Sequence, residues 1–117
     1  MFRYQEHFFA LVQGADLPAS LLASLRADPM LLRNALDGWF ESRRADLDPD
    51  SLSVEALEGD SREGSFELGF RETSWQACRM EWSSAPHSPR IRYRIDGSSL
   101  VLSTLPRNAF EERVDEL

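Results

Sequence analysis

The feature that most constrains the fold is a change in hydrophobic period near residue 46. Before the segment ADLDPD, apolar residues recur at helical spacing, and after it they alternate with polar residues. The first pattern is typical of amphipathic helices and the second of strands buried on one face. Because the predicted strands follow one another without helices between them, the sequence predicts an α+β fold, with helices on one face of an antiparallel sheet.

Residues 1–45 are predicted to form about three helices. The first is RYQEHFFALVQ, whose apolar residues make one wide stripe at helical spacing. Asp16 and Asp28 occupy N-cap positions of the next two, and each is followed by a proline in the first turn. The third, DPMLLRNALDGWFESRR, is expected to bury Trp39 and Phe40 between the helices and the sheet.

Residues 51–105 are predicted to form four to five antiparallel strands, with a turn at Asp96-Gly97 before the last one. Residues 106–117 are predicted to be a short tail of a helical turn or two, and the 117 residues together a single domain. The alternating residues that are expected to face the core are Leu52, Val54, Ala56, Phe66, Leu68, Phe70, Cys78, Met80, Trp82, Ile91, Tyr93, Ile95, Leu100 and Leu102.

Charge and composition exclude several classes of function. The net charge is −7 and the pI about 4.8, so binding to a nucleic-acid backbone, which needs clustered positive charge, is not expected. No apolar run approaches the roughly 20 residues of a membrane span. Cys78 is the single cysteine, which rules out an intramolecular disulfide. Together with a poor signal-peptide pattern at the N-terminus, this favours a cytoplasmic protein.

The acidic residues concentrate in one segment, which we interpret as the surface for a basic protein partner. Charge of this kind steers a partner of opposite sign. The sequence therefore favours a non-enzymatic binding module of bacterial type, such as an immunity protein, antitoxin, inhibitor or dedicated chaperone. The residues of this acidic segment are Glu55, Glu58, Asp60, Glu63, Glu67 and Glu72.

A second candidate surface is RIRYRID, in which Arg90, Arg92 and Arg94 share one face of a strand. The favoured interpretation is a ladder of cross-strand charges that keeps the outer face hydrated. The alternative is a guanidinium patch for phosphate, carboxylate or an acidic partner. An exposed Trp75 beside these arginines would favour the binding interpretation, because tryptophan and arginine dominate interface hot spots.

Metal chemistry has little support in the sequence. DLDPDS carries Asp46, Asp48 and Asp50 at alternate positions, like the start of a calcium loop. However, Ser51 stands where such a loop needs glycine, and Leu57 where it needs a bidentate glutamate. We expect a hydrated loop here, with neither a metal nor another cofactor.

Catalytic chemistry has little support either. His7 lies on the polar side of the first predicted helix and His87 in a Pro/Ser loop, and no nucleophile motif surrounds them or Cys78. Cys78 is expected to be an inert core residue. We therefore expect no enzymatic activity. The terminal VDEL resembles a retention signal by chance.

Two other functions remain open at this point. The first is a small-ligand domain or small enzyme, with an apolar pocket between the helices and a curved sheet. The second is a structural or homo-oligomeric role. A pocket of several hundred Å³ with a convergent Asp, Tyr or His would favour the first, whereas a filled core would favour the protein-binding module.

Overall fold

The computed structural model describes residues 3–41 and 44–105, which form six strands and two α-helices. The α+β class and the antiparallel sheet are confirmed, with one strand more and one helix fewer than predicted. In chain order the elements are β1 (Gln5–Ala10), α1 (Leu17–Arg26), α2 (Pro29–Ala35), β2 (Asp46–Gly59), β3 (Glu63–Gln76), β4 (Glu81–His87), β5 (Arg90–Asp96) and β6 (Ser99–Thr104).

Strand β3 organises the sheet. The strand order is β1-β6-β5-β3-β2, and all pairs are antiparallel. One side of β3 pairs with β2, while the other side pairs with β5 along its first half and with β4 along its second half. The β3–β4 hairpin therefore extends one end of the sheet.

The first predicted helix is wrong, because this segment forms strand β1. Phe9 faces the core and is 2% exposed, whereas its neighbour Phe8 faces solvent. A run such as FFALV satisfies the helical and the strand period alike, so the pattern alone could not decide. Pairing decides it: Phe9 lies opposite Leu100 and the backbone groups of β1 complete the ladder with β6.

Helix α1 forms as predicted. The carboxylate of Asp16 accepts a hydrogen bond from the Ala19 N–H at 2.9 Å and caps the first turn. Leu21 and Leu25 lie one turn apart and are fully buried against the sheet.

Helix α2 begins as predicted but is shorter. Asp28 caps it by accepting from the Leu31 N–H at 3.2 Å. The helix ends at Ala35, and a single 3₁₀ turn follows over Asp37–Trp39. Phe40 is buried at 3% exposure, as expected, but Trp39 is only partly buried.

The predicted inward faces of three strands are confirmed. These faces meet α1 and α2 in one core. Phe66, Leu68, Phe70, Ile91, Tyr93, Leu100 and Leu102 are all 3% exposed or less. The turn at Asp96-Gly97 also forms, with Gly97 at φ +62°. In β2, Leu52 is buried, but Ala56 is exposed at an irregular point of the ladder.

The third predicted inward set is wrong. Cys78 lies exposed in the turn of the β3–β4 hairpin, and Met80 and Trp82 are 79% and 67% exposed. The hairpin extends beyond the part of the sheet that the helices cover, so these side chains at its end do not pack into the core. Alternation predicts which residues share a face, but not whether anything covers that face.

Segment 46–50 is also strand and not the loop that we expected, since β2 starts at Asp46. The predicted tail over residues 106–117, with VDEL at its end, lies outside the described residues.

Candidate functional site

The outer face of the sheet, opposite α1 and α2, carries most of the residues that the sequence singles out. Outward positions of β3 alternate with its buried ones and pair with outward positions of β2, β4 and β5. One face therefore holds carboxylates, guanidinium groups and aromatic rings.

The acidic residues of this face form a patch at the β2–β3 end. Glu55 lies directly opposite Glu67 in the ladder, although like charges in that position destabilise a sheet. Glu58, Asp60 and Glu63 lie exposed around the connecting turn. We call these five residues the acidic patch.

Asp60 shapes the turn of the patch. Its carboxylate accepts from the backbone N–H groups of Arg62 and Glu63 at 2.8 and 3.1 Å. These two hydrogen bonds hold the pKa of Asp60 below its ordinary value. The patch therefore keeps this negative charge even in mildly acidic solution.

Glu72 does not belong to this patch. It faces inward, is 4% exposed, and lies 2.8 Å from Nε2 of His87. Its carboxylate also accepts from the Glu41 N–H at 3.1 Å, while the His87 ring stacks on Phe70 at 5.1 Å. Glu72 therefore joins the segment after α2 to the sheet, and its assignment to a partner surface is incorrect.

The three arginines of β5 lie outward, as predicted, but their surroundings differ. Arg90 lies 3.3 Å from Glu58, and Arg94 lies 2.8 Å from Glu6. Within residues 3–41 and 44–105, no carboxylate lies within ion-pair distance of Arg92. The charge ladder thus describes Arg90 and Arg94, and leaves Arg92 unexplained.

Arg92 lines an open cavity of about 940 Å³. Its guanidinium carbon lies 5.7 Å from the centre of the Tyr4 ring, which is within cation–π range. Its cross-strand neighbours are Ser65 on β3 and Ser103 on β6. Because serines are short, the guanidinium is accessible between them. We call this the Arg92 cavity.

The hairpin end carries the largest exposed apolar side chains of the sheet. Trp75 and Trp82 pair across the strands with ring centres 5.6 Å apart, and they are 50% and 67% exposed. Met80 in the adjoining turn is 79% exposed. We call these three residues the tip patch. Trp75 was a predicted candidate, whereas Met80 and Trp82 were not.

In the described part of the chain, the two histidines and Cys78 lie in three different elements or turns. His7 bonds the Thr104 hydroxyl at 3.0 Å on the inner face, and burial lowers its pKa. His87 bonds Glu72, and Cys78 lies at the far end of the hairpin. Among residues 3–41 and 44–105, no group of three His, Cys, Asp or Glu side chains is arranged to hold a metal ion.

The inward aromatic residues Phe66 and Phe70 belong to the core, whereas Tyr93 is buried in the core and also lines the Arg92 cavity. Phe66 is fully buried with the Tyr93 ring 5.8 Å away, and Phe70 stacks on Phe40 at 5.3 Å. The Tyr93 hydroxyl donates to the Asp60 carbonyl at 2.6 Å. Burial, followed by the Asp60 charge, raises the pKa of Tyr93.

Comparison with family models, with curated proteins and with solved structures finds no match to this chain. No helix in the described part of the chain has the length and apolar character to cross a membrane.

Sequence reasoning missed four residues of the outer face. Tyr4 was assigned to a helix, and Ser65 and Ser103 carry no signal until register brings them beside Arg92. Trp82 was assigned to the core. The available signal was the position of Trp75 and Trp82 on either side of the short segment QACRME, which allows them to face each other across a hairpin.

Proposed function

We propose that this protein is a non-enzymatic protein-binding module that docks on a basic partner through the outer face of its sheet. The tip patch would supply the buried anchor, and the acidic patch would steer the partner. Modules of this kind include immunity proteins, antitoxins, inhibitors and dedicated chaperones. The exposed thiol of Cys78 suits the reducing cytoplasm.

The observation that carries the proposal is the exposure of the tip patch. Trp75, Met80 and Trp82 extend beyond the helices and cover no core. Exposed tryptophan is unfavourable in water, whereas tryptophan and methionine are enriched at the centres of protein interfaces. The T-shaped contact between the two indoles also limits their freedom before binding, which reduces the entropy lost in a complex.

The tip patch and the near edge of the acidic patch are close enough for one partner to cover both. Trp75 lies eight positions after Glu67 on β3, about 27 Å along a strand, whereas Glu63 is twelve positions from Trp75, about 40 Å, and would act on the partner over longer range. A standard interface buries about 800 Å² on each partner, equivalent to a disc about 30 Å across.

The charge of the partner follows from the acidic patch. Glu55 and Glu67 are directly opposed in the ladder, and Arg90, the neighbour of Glu67 on the other side, lies in ion-pair distance of Glu58, so the two opposed carboxylates repel each other. A cationic side chain placed between them would relieve that repulsion. The net charge of −7 acts in the same direction over longer range.

The test is quantitative capture of partners from the native host with matched variants. The double variant Trp75→Ala, Trp82→Ala removes the anchor, and Met30→Ala is its control, because Met30 is 78% exposed on α2. The double variant Glu58→Gln, Glu63→Gln neutralises part of the acidic patch, and Arg92→Ala changes another charge of the same face.

We expect a basic protein to be retained by the wild type, Met30→Ala and Arg92→Ala, and to be lost with the tryptophan variant. The glutamate variant should bind it more slowly, and added salt should reduce the wild-type rate in the same way. Loss in Arg92→Ala alone would place the partner on the arginines. Self-association that depends on the tryptophans would instead support the homo-oligomeric role.

A further inference from the structure

We propose that the Arg92 cavity is a binding site for a small monocarboxylate, which shares Glu58, Asp60 and Glu63 with the acidic patch but no residue with the tip patch. The site consists of the Arg92 guanidinium, the hydroxyls of Ser65 and Ser103 on either side of it, and the Tyr4 ring as an apolar wall.

The first argument is the arrangement of charge across the sheet. One transverse row of register partners reads Glu6, Ser103, Arg92, Ser65, Glu58. The two terminal carboxylates are held by Arg94 and Arg90 and not by the central guanidinium. A plain charge ladder would place carboxylates beside Arg92, but this row places two short hydroxyl side chains there.

The second argument is that the guanidinium is available to a ligand. Among the described residues no side-chain hydrogen bond or ion pair engages it, and its one aromatic contact is the Tyr4 ring, 5.7 Å from the ring centre. Ser65 already accepts a hydrogen bond from Arg90 at 3.1 Å, so its own hydroxyl proton can point toward a ligand. Preorganised donors of this kind lower the entropy lost on binding.

The third argument concerns the kind of anion. A guanidinium presents two parallel N–H groups that match the two oxygens of a carboxylate. Three carboxylates (Glu58, Asp60 and Glu63) and two further guanidiniums (Arg90 and Arg94) line the cavity, so apart from Arg92 the lining has a net negative charge, which repels a phosphate dianion more strongly than a monoanion. Tyr4, which is 52% exposed, offers apolar surface to the rest of the ligand. An aromatic monocarboxylate fits these conditions.

The experiment is a titration of the full chain with benzoate, followed through its backbone amide NMR signals. Phenyl phosphate tests whether a dianion binds as well, and benzylamine tests whether the ring alone suffices. The variants are Arg92→Gln and Arg92→Lys, the second of which keeps the charge but loses the planar fork. Arg71→Gln is the matched control, because Arg71 lies on the same face and bonds Ser84 outside the cavity.

We expect benzoate to shift the amides of Ser65, Arg92 and Ser103 in a saturable manner. Arg92→Gln and Arg92→Lys should weaken the benzoate affinity tenfold or more, since hydrogen bonds to charged groups contribute about 1.5–3 kcal/mol. Arg71→Gln should change it less than twofold. Benzylamine should not saturate these signals, and phenyl phosphate should bind more weakly than benzoate.

Three results would overturn the proposal. They are equal benzoate affinity in Arg92→Gln and the wild type, saturation by benzylamine at the same amides, and the absence of saturable shifts with benzoate. Tighter binding of phenyl phosphate would overturn the assignment to a carboxylate. None of these results bears on the tip patch, so the proposed protein-binding function is tested separately.

Discussion

Arg92 and Tyr93 are adjacent in sequence but face opposite sides of the sheet, so their substitution should have opposite consequences. Tyr93 is 3% exposed, packs against Phe66, and donates its hydroxyl to the Asp60 carbonyl. Removing about 150 Å² of buried ring surface at about 25 cal/mol per Å² amounts to about 4 kcal/mol. Aromatic truncations in cores cost about 3–5 kcal/mol, which agrees.

The assay is urea denaturation followed by circular dichroism. With a slope of about 1.5 kcal/mol per M, Tyr93→Ala should lower the midpoint by roughly 2–3 M. Tyr93→Phe removes only the hydrogen bond and should lower stability by about 1 kcal/mol. Arg92→Ala should change it by less than about 1 kcal/mol, because exposed charged side chains contribute little. A larger loss in Arg92→Ala than in Tyr93→Ala would refute the assignment of the two faces.

Three further changes test other parts of the structure. Burial lowers the pKa of His7, so the unfolded state binds a proton more readily than the folded state does. The free energy of unfolding should therefore be unaffected by His7 above pH 6.5, its ordinary pKa, and should fall as the pH drops from there toward the lower pKa of the folded state. His7→Gln should reduce that fall in a pH series of melting temperatures, and an identical pH profile would contradict it. Gly64→Ala should prevent normal folding, because the added Cβ would overlap the Glu58 carbonyl oxygen. The control Gly97→Ala meets no atom within 4 Å and should cost only about 1–2 kcal/mol, because of its positive φ. Equal denaturation midpoints for the two variants would argue against this β2–β3 register. Millimolar calcium should leave the melting temperature unchanged, and a rise of several degrees that is absent in Asp48→Ala would show that DLDPDS binds calcium.

The sequence predicts those parts of the fold in which local chemistry decides. Asp16 and Asp28 cap helices because a carboxylate and the first N–H groups meet within one turn. The strands around Phe66 and Tyr93 are also predicted, since alternation leaves only one face apolar. Strand β1 was missed because both periods fit its residues, and pairing with β6 is a long-range contact that local pattern does not contain.

In the candidate site too, the local pattern predicts which face a side chain occupies, whereas long-range pairing decides which residues surround it. Arg90, Arg92 and Arg94 lie on the predicted face, but their roles separate only through register, which gives two of them carboxylate partners and places serines beside the third. Glu72 is charged, as outward-facing residues usually are, but it lies two residues after the buried Phe70 and therefore faces inward. Its burial depends on His87 and on the segment after α2, neither of which is close to it in sequence.

Site-specific photocrosslinking tests the proposed docking surface most directly. Trp82 is replaced by p-benzoylphenylalanine in one variant and Met30 in another, and both are irradiated in the native host. Both positions are exposed to a similar degree, at 67% and 78%, but Trp82 lies on the tip patch and Met30 on α2. One crosslinked product with a basic protein is expected at position 82, weakened by Glu58→Gln, Glu63→Gln, and none is expected at position 30. Crosslinking of the same partner at position 30 alone would contradict it.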